Sequence, residues 1–208
     1  MLNANDRSVV PIANLKEFFK DSLHETLAAQ KLTIDAHTAH YIVNLLVLFA
    51  RSDALFERTS EGMRVKPLVV MLSEALEARS AEERRRGLQR LGDVSLFIAG
   101  FFSRSFARKL VDIEYHIAMG GRAYAALASS VSRTRLDALT NVYAELADKF
   151  QPIVDVLNEL SESGTPHSNA DVLRLYEIWL KTGSKRSYGL LQRLGVTPAP
   201  GMRLASAH

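Results

Sequence analysis

Cysteine is absent from the 208-residue chain, which excludes disulfides, thiolate metal sites, cysteine nucleophiles and iron–sulfur clusters and makes a reducing, cytoplasmic setting the expectation. Long apolar runs are missing too. The two longest, Tyr41–Ala50 and Val94–Phe102, fall well short of the roughly 20 residues that a membrane helix needs, so both read as buried core helices and no membrane insertion is expected. Residues Met1–Pro11 lack the basic start and apolar stretch of a signal peptide. The net charge of +3 is too small a surplus to identify a polyanion partner by itself. No segment sustains an alternation of period two, so sheet is not expected. The one Gly-Gly pair, Met119–Gly120–Gly121–Arg122, follows no strand and has neither phosphate-loop spacing, which removes nucleotide binding through it.

What is present is ordinary globular composition, 47% apolar and 24% charged, in a length that suits one main core. Three-and-four spacing recurs throughout, and the fold class it predicts is all-α: a bundle of about five or six helices with a C-terminal helical hairpin. A first helix follows Pro11 and runs to about Gln30, with Leu15, Phe18, Phe19 and Leu23 on one side. The second is capped at Thr33 or Asp35 and shows a broad apolar face that includes Tyr41, Leu45, Leu48 and Phe49. A loop over Ser52–Lys66 leads to Pro67, which suits the first turn of a third helix. Ser80 with Glu83 is a capping-box signature for a fourth, reaching about Phe102. A fifth is expected over 107–131 and a sixth over 133–161, with Leu139, Tyr143, Leu146, Phe150, Ile153 and Leu157 in one stripe and Pro152 on the exposed side. The chain thus divides into a flexible start (1–11), a bundle (12–162), a hairpin docked on it (168–195, turning at Gly183) and a flexible tail (196–208).

Four features bear on chemistry. His37 and His40, with Asn44, lie along one side of the second helix, and Asp112 with His116 offers a complement on the fifth, so a transition metal held by His37, His40, Asp112 and His116 is one reading. Hydrogen-bonded or surface histidines are the reading preferred, because no Glu stands three residues before a His as carboxylate-bridged bundles require. No cofactor is expected. Asp93 enters an otherwise apolar run and needs a partner, for which Arg90 and Arg122 are candidates. Ala118, Gly121, Ala125 and Ala128, with Gly120 beside them, suggest close helix packing, since two glycines inside a helix cost about 1 kcal/mol each. Basic residues gather between Arg79 and Lys109, and Arg84, Arg85, Arg86 and Arg90 form a basic face, with Lys181, Lys185, Arg186 and Arg193 as a possible extension. A solvated surface is preferred there over nucleic acid binding.

Leu91–Phe102 (LGDVSLFIAGFF) and Tyr115–Tyr124 (YHIAMGGRAY) together resemble an uncharacterised family of bacterial all-helical proteins. The resemblance brings no activity or ligand. It implies that Asp93, Gly100, Gly120, Gly121 and Tyr124 belong to one structural centre where two helices cross. Core features abound and site features are sparse, so the leading expectation is a non-enzymatic interaction or regulatory protein that forms a homodimer, with another protein as a further candidate partner. The alternatives are the metal enzyme above and nucleic acid binding through residues 79–109.

Overall fold

The computed structural model of the chain describes residues 12–50, 55, 57–59, 62–101, 111–130, 138–162, 178–179 and 182–193. Helix α1, Ile12–Ala29, ends where Lys31 adopts a left-handed backbone (φ 54). There the Leu32 N–H reaches the Leu27 carbonyl (3.0 Å) and the Lys31 N–H reaches Ala28 (3.1 Å), which satisfies the helix's last acceptors. Helix α2, Ala36–Phe49, starts at Asp35, whose carboxylate accepts the His37 N–H at 2.8 Å. The turn between them is tied to a later helix, since the Asp35 N–H donates to Glu145 (2.9 Å) and Lys149 Nζ donates to the Thr33 carbonyl (2.8 Å).

The loop expected over 52–66 contains two short antiparallel strands, β1 (Glu57–Thr59) and β2 (Gly62–Arg64), with Thr59 opposite Gly62. Three residues per strand are too few for an alternation to register. Helix α3, Leu68–Leu76, takes Pro67 as its capping residue rather than in its first turn. Helix α4, Ala81–Phe101, begins with the expected box: Ser80 Oγ accepts the Glu83 N–H at 3.1 Å, and the Glu83 carboxylate reaches back to the Arg79 N–H at 3.2 Å. Helix α5 spans Val111–Ser130.

The single helix expected over 133–161 is two, α6 (Ala138–Asp148) and α7 (Phe150–Glu162), so the expected five or six bundle helices number seven among the described residues. Pro152 supplies the reason, because it has no N–H to return to the Asp148 carbonyl and its ring crowds that group. Backbone bonds from Lys149 to Glu145 and from Ile153 to Lys149, both 2.9 Å, bracket the break. Of the C-terminal hairpin, helix α8, Lys185–Arg193, is described and touches α7, and Gly183 makes the left-handed turn before it (φ 69). The helix expected over 169–182 falls mostly outside the described residues, as do the 1–11 and 196–208 segments.

Helix α4 is the hub and packs against α2, α3, α5 and α7, with Val94–Gly100 buried on every side. α1 and α2 cover one face, against α7 and α6. Three residues assigned to apolar stripes, Phe18, Leu48 and Leu139, turn outward. Among the described residues no helix is long and apolar enough to cross a membrane.

Candidate functional site

Asp93 finds its partners in tyrosines rather than in Arg122, which is exposed on α5. Tyr41 Oη of α2 donates to Asp93 Oδ1 at 2.6 Å and Tyr124 Oη of α5 donates to the same oxygen at 2.7 Å. Gln89, one turn before Asp93 on α4, donates from Nε2 to Tyr41 Oη at 3.2 Å. Tyr143 of α6 stacks on the Tyr124 ring with centroids 5.9 Å apart and meets Tyr41 edge-on at the same separation. Phe150 of α7 closes the group against Tyr124. Five helices therefore converge on one carboxylate.

Small residues on α4 and α5 permit this convergence. A Cβ on Gly92 would lie 2.7 Å from the Tyr124 ring, and one on Gly120 would overlap Phe150 and come within 2.7 Å of Ser95. Gly121 differs from its neighbour, since its Cβ position is 3.8 Å from Phe150, an ordinary contact. Gly100 packs on Leu157 of α7 and does not belong to the α4–α5 crossing. Of the line of small residues expected to mediate close packing, Ala118 and Ala125 are exposed and Gly121 and Ala128 half-buried, while Gly120, Ala123, Tyr124 and Leu127 face inward.

Burial lifts the Asp93 carboxyl to about 6, against the opposing pull of the two tyrosine donors and the nearby Arg90 guanidinium. Burial, then the Asp93 charge, push the Tyr41 and Tyr124 phenols well above their usual range, so both stay protonated and donate. The arrangement works as a polar tie among packed rings. Arg90, expected on the basic face, turns inward instead: its guanidinium lies 5.1 Å from the Phe49 ring centroid and reaches the Leu55 carbonyl at 3.5 Å. Arg90 and Val94 line a pocket of about 320 Å³ shared with Lys66, Glu74 and Glu83, in which two cations and two carboxylates balance.

The rest of the basic face is exposed at the start of α4, where Arg85 and Arg86 pair with Glu82 (2.9 Å each), which offsets part of its charge. Lys181, Arg104, Arg108 and Lys109 lie outside the described residues. His37 and His40 stand on the solvent side of α2 and His116 is half-buried on α5, beside Tyr115. The side chain of Asp112 is outside the described set. Among the described residues no group of three or more histidines and carboxylates is placed to hold a metal ion. His40 instead borders, with His24, a groove of about 720 Å³ between α1 and α2 floored by Leu23, Ile34 and Val43.

The sequence reading missed a second polar cluster. Asp155, buried on α7, accepts from Ser184 Oγ at 2.7 Å and from Gln151 Nε2 at 3.0 Å. It sits four residues from Gln151 and Glu159 and lies off the apolar stripe between Val154 and Val156, so no local spacing signalled it. No family model matches the chain, and neither a curated protein nor a solved structure matches it.

Proposed function

We propose that the protein is a non-enzymatic helical interaction protein that pairs with a second copy of itself through one flank of α3. The observation that carries this reading is the exposure of Val69 (61%), Val70 (41%) and Leu76 (53%) on a nine-residue helix. Val69, Leu72 and Leu76 follow i, i+3, i+7 spacing and form a single apolar flank, while Leu68, Met71 and Ala75 on the other side hold α3 to the core. Such a flank is self-complementary. An antiparallel pair about a twofold axis near Leu72 sets Val69 of one copy against Leu76 of the other and opposes the two helix dipoles. It also brings Lys66, before the helix, toward Glu77, after it.

The enzyme and nucleic acid alternatives draw less support, because the tyrosine–aspartate centre is packed and hydrogen-bonded and two of the three arginines Arg84, Arg85 and Arg86 are paired with Glu82. The lack of cysteine fits a cytoplasmic setting. Light scattering over a range of protein concentrations tests the reading, with a mass twice that of the chain expected. Leu76→Glu, which replaces an exposed side chain and leaves the core untouched, should return the monomer. A strict monomer at every concentration, or a dimer indifferent to Leu76→Glu and Val69→Lys, overturns it.

A further inference from the structure

We propose that the C-terminal helix α8 is a releasable strap, held on α7 by the Asp155–Ser184 hydrogen bond and loosened as the medium passes from acid toward neutral. The seam is built around one oxygen. Asp155 Oδ1 accepts from Ser184 and Gln151, while Ser184 Oγ in turn accepts the Ser187 N–H at 3.0 Å and so caps α8. One hydroxyl thus both starts the strap and fastens it. Ser184, Ser187 and Leu191 are buried there, and among the described helices α7 is the one that α8 packs against most.

The seam has an internal mismatch. Gln151 Oε1 is a buried acceptor without a hydrogen-bond donor, next to a carboxylate that brings none when ionised. A protonated Asp155 brings to this seam a hydroxyl donor that the carboxylate lacks. The charged groups around Asp155 are Arg186 on α8, whose backbone and charge favour ionisation, and Glu159 one turn on, which lies 3.8 Å from Arg186 Nε. From the turn after α1 the neutral Gln30 comes in, and its amide donates to Glu159 (2.6 Å) and to the Asp155 carbonyl (3.3 Å). Burial outweighs these hydrogen bonds and Arg186 and lifts the Asp155 carboxyl from 3.8 to about 6. The docked state therefore prefers the proton. Docking is strongest below the ordinary carboxylate value, weakens as pH rises between that value and about 6, and has lost the whole contribution above it.

Trp179, the chain's single tryptophan, reports on the strap directly, because it is buried and its ring centroid lies 5.9 Å from that of Tyr188 on α8. Acrylamide quenching of Trp179 in the full chain should rise roughly twofold or more between about pH 4 and about pH 7, with far-UV helicity retained. Asp155→Asn, neutral at every pH, should keep quenching low and flat across that range. Ser184→Ala, which removes both the fastening and the cap, should keep it high throughout. Quenching in the wild type that ignores pH overturns the proposal. So does the same rise in Asp155→Asn, which would assign the transition to a histidine.

Discussion

Two carboxylates are carried into the interior, Asp93 on α4 and Asp155 on α7, and burial lifts both to about 6. Their surroundings differ. Asp93 is held by phenols from two other helices inside a cage of rings to which α6 and α7 also contribute, so it cannot lose a partner unless the bundle opens. Asp155 is held across a seam by Ser184, the residue before α8, and by the Arg186 backbone and charge on that short helix, and it can lose them while the bundle stays closed. A buried charge of one kind thus costs global stability in the first place and local docking in the second, because the cost falls on whichever structural unit must open to relieve it.

Truncation should separate the two most widely. Asp93→Ala leaves the Tyr41 and Tyr124 hydroxyls without their acceptor and is expected to lower unfolding free energy by about 2–4 kcal/mol, while Asp155→Ala costs under about 1 kcal/mol. Urea denaturation followed by circular dichroism measures both, and equal losses would erase the distinction. The glycines beside the first centre make the next contrast. Gly120→Ala should destabilise by about 1–3 kcal/mol through overlap with Phe150 and Ser95. Gly121→Ala, with room for its methyl, should gain up to about 1 kcal/mol from helix propensity.

A pH series sharpens the comparison further. The raised Asp93 carboxyl contributes stability that is present in acid and lost as pH rises from the ordinary carboxylate value to about 6. Asp93→Asn keeps an acceptor for both phenols and titrates nowhere in that window. The wild type should therefore lose thermal stability relative to Asp93→Asn across that range, by melting temperature at each pH, whereas Asp155→Asn should flatten only the Trp179 signal. The smallest effect belongs to the exposed histidines: His37→Ala and His40→Ala should each shift stability by no more than about 0.5 kcal/mol, with or without added zinc. A zinc-dependent rise in melting temperature that either substitution abolishes would restore the metal reading.

Several helix boundaries were legible because their signals are local. Asp35 caps α2, Ser80 and Glu83 close the start of α4, and Gly183 turns the chain before α8, each through atoms within four residues of one another. Pro152 was read as a kink on the exposed side, and that is where it stands, but whether the chain bends or breaks there depends on what α6 and α7 each pack against. Tyr41 was read as one apolar face residue among several and Gly92 only as part of a motif. Nothing near either in sequence shows that a phenol reaches across 52 residues to Asp93, or that a ring 32 positions later lies on the glycine.

By itself, then, the sequence determined the all-helical class, the starts of α2 and α4, and the presence of a carboxylate at Asp93 that had to be paired, since propensity, capping and the cost of burying charge all act over a turn or two of chain. Only the tertiary structure decided the partners. Helix crossing, set by where glycine lets one surface approach another, chose Tyr41 and Tyr124 over Arg122, turned Arg90 inward and His37 outward, and left Val69 and Leu76 facing solvent.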